Sequence, residues 1–273
     1  MKKKAAGSGL LYGVNPLLEA LRAGDRAPHE ILVAESARDE RLRELIELAR
    51  ARNVSVKRVP RAVLDRAVGS THHQGVVARV AAARYADAEE LLSSIASNVG
   101  REAEPLVLVL DGIEDPRNLG AILRTAECAG VDGVFIPERR AAGLNETVAK
   151  ASAGAVEYVP VARVTNLSRL IEQLKERNVW VVGTAADALM DYTGWDWTRP
   201  AAVVLGGESA GLHRLLRERC DALVRIAVQG KIESLNVSVA SGIILYEALR
   251  QRNLIRELRV STASGSDRIP SIL

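Results

Sequence analysis

Three stretches in the second half of the 273-residue chain place polar side chains directly after apolar runs. The first, DGIEDPRNLGAILRTAECAGV (residues 111–131), carries Asn118 and Arg124. The second, VVLGGESAGL (203–212), sets Glu208 behind the pair Gly206 and Gly207. The third, IAVQGKIESLNVSVASGIILYEAL (226–249), has Ser234 and Asn236 at the entry to an apolar segment. Arginine offers a bidentate fork for phosphate, paired glycines admit a ligand to the backbone, and amides and hydroxyls either orient a substrate or cap a helix. On the residues alone, capping and chemistry both stand for Asn118, Ser234 and Asn236. Asp111, Glu114 and Asp115 could offer carboxylates to a magnesium ion, but Asp115-Pro116 reads as a turn, and no metal is expected.

Strand ends must hold these stretches. Residues 106–110, Leu-Val-Leu-Val-Leu after Pro105, are continuously apolar, the pattern of a strand buried on both faces of a parallel sheet. Ala121, Ile122, Ala126 and Ala129 then recur at helical spacing, with Asp115 or Asn118 as cap and Gly130 as stop. The first stretch therefore sits at the carboxyl end of a parallel strand, where open α/β sheets keep ligands. Residues 133–136, 158–161, 179–183, 201–205 and 222–228 read as further strands, and 235–250 as a last helix. This order predicts a mostly parallel sheet covered on both faces.

The first third of the chain reads as a smaller α/β unit. Asn15-Pro16 opens a helix that Gly24 stops, residues 29–33, 54–56 and 75–80 form strands, and 39–52 and 63–68 form helices. An acidic helix over 86–95 and a polar stretch over 98–105 link the two units, and the Ser/Thr/Gly-rich tail after Asn253 is expected to be disordered.

Composition narrows the function. The net charge of +3 and the excess of arginine over lysine are compatible with a polyanionic partner, although Arg38, Arg41, Arg43, Arg50 and Arg52 are also spaced to pair with Glu40, Glu44 and Glu47 on one helix. Aromatic residues are 3% of the chain, too few for a base-stacking platform, so a nucleic acid would be held by backbone and shape. Cys128 and Cys220 read as buried thiols of a reducing compartment. His72 and His73 show no metal-site spacing. No signal peptide or membrane span is expected, which predicts a soluble cytoplasmic protein. No G-x-G-x-x-G follows the first strand of either unit, and no P-loop is present.

Taken together and in this order, the three stretches resemble motifs 1, 2 and 3 of the SpoU family of RNA 2′-O-ribose methyltransferases, within the SPOUT superfamily. YGVNPLLEAL and HHQGVVARV resemble the amino-terminal domain of its 23S ribosomal RNA guanosine 2′-O-methyltransferase subgroup. The resemblance covers residues 10–252. It implies a basic start over 1–9, an L30e-like RNA substrate-binding domain over 10–81, a linker over 82–104, a catalytic α/β domain over 105–252 ending in a trefoil knot, and a tail over 253–273. Connection rules alone would have given an unknotted doubly wound sheet.

It further implies S-adenosylmethionine as cofactor, contacted by Thr184, Leu205, Gly206, Gly207, Ile226 and Leu235. The polar active-site positions are then Asn118, Arg124, Glu208, Ser234 and Asn236, with Arg124 either the base or a charged stabiliser. RNA, with 23S ribosomal RNA foremost, and a second copy in a homodimer are the expected partners, and neither DNA nor membrane is. A transfer-RNA or resistance methyltransferase of the same family, or an inactive RNA-binding module, would share most of these features.

Overall fold

The computed structural model describes residues 8–207 and 211–263. The amino-terminal domain runs β1 (Ser8–Tyr12), α1 (Val14–Ala23), β2 (Glu30–Ala34), α2 (Glu40–Ala51), β3 (Ser55–Val59), α3 (Arg61–Val68) and β4 (Val76–Ala81). Its sheet has the order β1-β4-β2-β3; β4 runs antiparallel to β1 and β2, and β2 is parallel to β3. The edge strand β1 was not legible as a strand in the sequence.

Helix α1 starts one residue before Asn15, and its cap is not the Asn15 side chain. Gly13 occupies the cap position at φ 95°, and Gln74 Oε1 accepts from Val14 N at 3.0 Å. Gly24 stops α1 in the left-handed region, as expected. On α2, Glu44 pairs with Arg22 of α1 instead of an arginine of its own helix, so the expected internal ion-pair ladder is not the main use of these charges.

Helix α4 (Ala88–Asn98) leads into the larger sheet. There the chain runs β5 (Leu106–Asp111), α5 (Pro116–Cys128), β6 (Gly133–Pro137), α6 (Glu146–Ala151), β7 (Val161–Val164), α7 (Leu167–Glu176), β8 (Trp180–Thr184), β9 (Met190–Asp191), β10 (Ala201–Gly206), α8 (Arg214–Arg219), β11 (Ala222–Arg225) and α9 (Val237–Ala263). The sheet is parallel throughout, in the order β7-β6-β5-β10-β8-β11-β9.

Every residue of β5 is buried, the signature of a central strand covered on both faces. Leu106, Leu108 and Leu110 pack with Leu119, Ile122 and Leu123 of α5 and Ile244 and Leu245 of α9. Val107 and Val109 face the other layer, with Leu92 and Ile95 of α4 and Leu170, Ile171 and Leu174 of α7. The two-residue period of the strand thus assigns alternate side chains to two helical layers.

Three expectations are corrected. Strand β7 begins at Val161, three residues later than the expected start at 158, because the 3-10 turn over 155–157 continues as a turn through 158–159. Helix α9 continues to Ala263, so the first part of the supposed disordered tail is helical, and residues 264–273 lie outside the described residues. Cys128 is exposed on the last turn of α5, and Cys220 is only partly covered; burial and the neighbouring Asp221 push the Cys220 thiol up to about 12.

The two domains meet through charged and apolar contacts. Arg26 Nη1 bonds Glu157 Oε1 at 2.6 Å, with the two side chains only 12% and 3% exposed. Glu146 Oε1 accepts from Leu10 N at 2.8 Å. Ala149 of α6 is buried within the amino-terminal core, packed among residues of α1 and β1.

Candidate active site

The three polar stretches converge at the carboxyl ends of β5, β10 and β11. A cavity of about 310 Å³ opens there, within the size range of small-molecule pockets. Thr184 enters it from the end of β8, Leu205, Gly206 and Gly207 from β10, Ile226 from the end of β11, and Leu235 from the segment before α9. These are the six residues assigned to cofactor contact in the sequence. Ser234 lines the same cavity.

Gly206 is needed for a reason not visible in the sequence. A Cβ there would collide with the backbone of Gly211 and Leu212, which crosses directly over it. A Cβ at Gly207 would lie 2.7 Å from the Gly112 carbonyl oxygen. Gly211 N donates to Gly207 O at 2.9 Å. Glu208 falls between these two glycines and outside the described residues. The glycine pair therefore serves close packing of backbone on backbone, against Gly211, Leu212 and Gly112.

Three features of the site were missed from sequence. Asp187 Oδ2 accepts from Arg217 Nη2 at 2.8 Å, and both residues line the cavity, so this pair ties the loop after β8 to α8. The bond to Arg217 holds the Asp187 carboxyl below its ordinary range. Gly211 joins Gly206 and Gly207 as a third cavity glycine. Asp111, weighed above as a metal ligand, is buried and accepts from His213 N at 2.9 Å and from His213 Nδ1 at 2.7 Å, which fixes the start of α8 against the end of β5. Asp187 is a lone aspartate in an alanine-rich segment directly after β8, and nothing local pointed to it or to His213.

The polar positions form a second group. Asn236 Nδ2 donates to Asn118 Oδ1 at 3.0 Å, joining the loop before α9 to the first turns of α5. Asn236 Oδ1 accepts from Ser238 N at 2.9 Å, so the same side chain also caps the start of α9. Capping and joining are both realised. The cap of α5 is Asp115, whose carboxylate accepts from Arg117 N at 2.8 Å, which leaves the Asn118 amide for Asn236. Arg124 is exposed on α5 and is not among the residues that line the cavity. The fold thus separates the cavity from an adjacent polar surface carrying an amide pair.

Residues 105–246 match the SpoU rRNA Methylase family, and residues 10–86 match the RNA 2′-O ribose methyltransferase substrate-binding family. The chain is 45% identical over 242 residues to the 23S rRNA (guanosine-2′-O-)-methyltransferase RlmB of Xanthomonas axonopodis pv. citri, covering 89% of this chain and 96% of the relative. It is also 45% identical over 247 residues to YacO of Bacillus subtilis, whose name places it among TrmH family tRNA/rRNA methyltransferases, covering 90% and 97%. In structure it resembles the SpoU methyltransferase AviRb from Streptomyces viridochromogenes, crystallised with AdoMet, at a TM-score of 0.73 and 27% identity over 91% and 92% of the two chains. With both domains matched in order, and the cavity loops and the amide pair falling inside the longer match, the chain belongs to the SpoU family of RNA methylases.

Proposed function

We propose that this protein transfers a methyl group from S-adenosylmethionine to the ribose 2′-hydroxyl of a guanosine in 23S ribosomal RNA. The observation that carries the reading is the cavity formed by three loops at the carboxyl ends of the sheet, with the Asn118–Asn236 pair beside it. Leu205, Ile226 and Leu235 give it apolar walls for a flat heterocycle, and Thr184, Asp187 and Glu233 supply polar groups at its edge. These residues fit an adenosyl group. When bound, the cofactor supplies an activated methyl on a sulfonium.

What remains for the chain is alignment, worth up to roughly 7 to 11 kcal/mol when two reactants are held for an in-line approach, and handling of the hydroxyl proton. A guanidinium keeps its proton at neutral pH. Arg124 is therefore assigned as a charged clamp on the phosphate beside the target ribose, stabilising the developing alkoxide while the hydroxyl proton passes to solvent water. Asn118 and Asn236 fix the ribose, Ser234 stands at the cavity edge, and Glu208 orients Arg124 or the loop backbone.

The same reading includes a homodimer. Val239 and Tyr246 on α9 are 50% and 53% exposed, an apolar face that supports a second copy as its cover. A knotted carboxyl-terminal segment, RNA held by an L30e-like amino-terminal domain, and action in the cytoplasm complete it. Guanosine in 23S ribosomal RNA is favoured by the name of the RlmB relative, while the YacO name leaves transfer RNA open. An inactive module would not need the Asn118–Asn236 pair to be intact.

The test is incubation with radiolabelled S-adenosylmethionine and separated ribosomal and transfer RNAs. Label is expected on 23S RNA, at a position that resists alkaline cleavage and that a 2′-deoxy substitution abolishes. Label on a base, or on transfer RNA alone, overturns the assignment.

A further inference from the structure

A loop at the junction of the two domains carries more constraint than a connection needs. Between α3 and β4, His73 is fully buried; its Nε2 bonds Asp65 Oδ1 at 2.8 Å and its Nδ1 accepts from Gly75 N at 3.0 Å. Gln74, a residue with a Cβ, is held at φ 53°, and Gly75 follows at φ 79°. Left-handed backbone at a non-glycine residue is strained and persists where the surroundings over-determine it. The buried histidine and the Gln74 bond to the start of α1 provide that determination. The result is a rigid loop whose Thr71 and His72 face solvent.

Cations from both domains flank this exposed pair. Arg61 Nη2 of α3 donates to Thr71 O at 3.2 Å, and Lys150 Nζ of α6, from the catalytic domain, donates to His72 O at 3.0 Å. Lys150 also stands 5.0 Å from the centre of the Tyr12 ring. Each cation spends one donor on the loop and keeps others: a guanidinium has five N–H groups and an ammonium three. Asp65, the carboxylate that touches the loop, is engaged by His73. Helix α6 packs directly on α5, the helix that bears Asn118 and Arg124; a Cβ at Gly120 of α5 would collide with Ala151 of α6.

We propose that Thr71 and His72, with Arg61 and Lys150, form a seat for the RNA phosphate backbone that bridges the domain junction and leads the strand toward α5. This deepens the function proposed above and rests on it. Exposed hydroxyl, imidazole and two cations with spare donors on a pre-set loop match the groups that contact phosphate and fix register without reading sequence. The partner is a polynucleotide: Arg61 and Lys150 come from different domains yet bond the carbonyls of adjacent residues, Thr71 and His72, and so suit one strand that crosses the junction.

The test compares the full-length protein with Arg61→Ala/Lys150→Ala and with His72→Glu, measuring binding to unmodified 23S RNA transcribed in vitro across a range of NaCl. Two lost phosphate contacts should lower the slope of log affinity against log salt by about 2 and weaken binding by about ten-fold or more at moderate salt. His72 is exposed, so its carboxylate substitution keeps the fold while repelling phosphate, and it gives a reading even if the double variant is unstable. Calorimetric affinity for S-adenosylhomocysteine should stay at the parent value in both. Unchanged RNA affinity and salt slope in folded variants overturn the seat alone. Absence of salt-dependent 23S binding by the parent protein overturns the function on which it rests.

Discussion

Asn236 and Asn118 are 118 positions apart in the chain, yet the amide of one donates to the amide oxygen of the other at 3.0 Å. The bond ties the start of α9 to the first turns of α5. Asn236 performs two tasks with two ends of one group: its Nδ2 holds Asn118 and its Oδ1 holds Ser238 N.

Substitution can separate the two tasks. Asn236→Asp keeps an acceptor for the cap but loses the donor to Asn118. Its melting temperature should stay within about 2 °C of the parent, since the cap of about 1 kcal/mol survives, while methyl transfer falls by about 10²-fold because a misplaced reactant loses that much. Asn236→Ala should lose both. Parent-like methyl transfer by Asn236→Asp would show Asn236 to be a cap only.

Arg124→Ala should abolish methyl transfer and leave the affinity for S-adenosylhomocysteine within a few-fold of the parent, because Arg124 lies outside the cavity lining. Arg124→Lys retains charge without the fork and should recover part of the rate. If the arginine acts as a charged clamp, the pH at which the rate is half-maximal will be the same in the lysine variant as in the parent. Near-normal turnover of the alanine variant would remove Arg124 from the site.

Gly206→Ala places a methyl group into the backbone of Gly211 and Leu212. Backbone on both sides cannot yield as a flexible side chain would, so the expected cost is about 3 kcal/mol or more, at the upper end of overpacking. Thermal melting with and without S-adenosylhomocysteine measures it: the midpoint should fall and the shift produced by the ligand should vanish. A parent-like ligand shift would mean that the crossing segment is free to move.

The domain junction yields a fourth outcome. Burial raises the Glu157 carboxyl above its ordinary range, with Arg26 opposing the rise. The folded protein then binds that proton more tightly than the unfolded chain, so the contribution is fullest below the ordinary glutamate value and declines as pH climbs through the raised one. Urea unfolding from pH 4 to 8 should show this decline, and Glu157→Gln should flatten it. Arg26→Met leaves the carboxylate buried without its partner and should cost about 3 to 5 kcal/mol near neutrality. For the same reason, deleting the first hundred residues uncovers Ala149 and strands Glu157, so an isolated catalytic domain should be less stable than its own sheet would suggest.

Much of this protein is determined locally. The apolar run of β5, the Asp115-Pro116 start of α5 and the glycine stop of α1 each follow from propensities that act within a few residues, and each element forms as its residues dictate. The three polar stretches were legible for the same reason, since loops after buried strands stand out by composition. What only the tertiary structure decided are relations between distant segments. The cap of α1 comes from Gln74, the partner of Asp111 is His213, and Asp187 closes on Arg217 across the cavity. Strand β1 was hidden because an edge strand needs little apolar patterning when its partner β4 supplies the ladder. The glycines of the second stretch show the division most directly. Their type marks a close approach, but only the fold reveals that what approaches is the protein's own backbone, because a missing Cβ records the need for space and not what fills it.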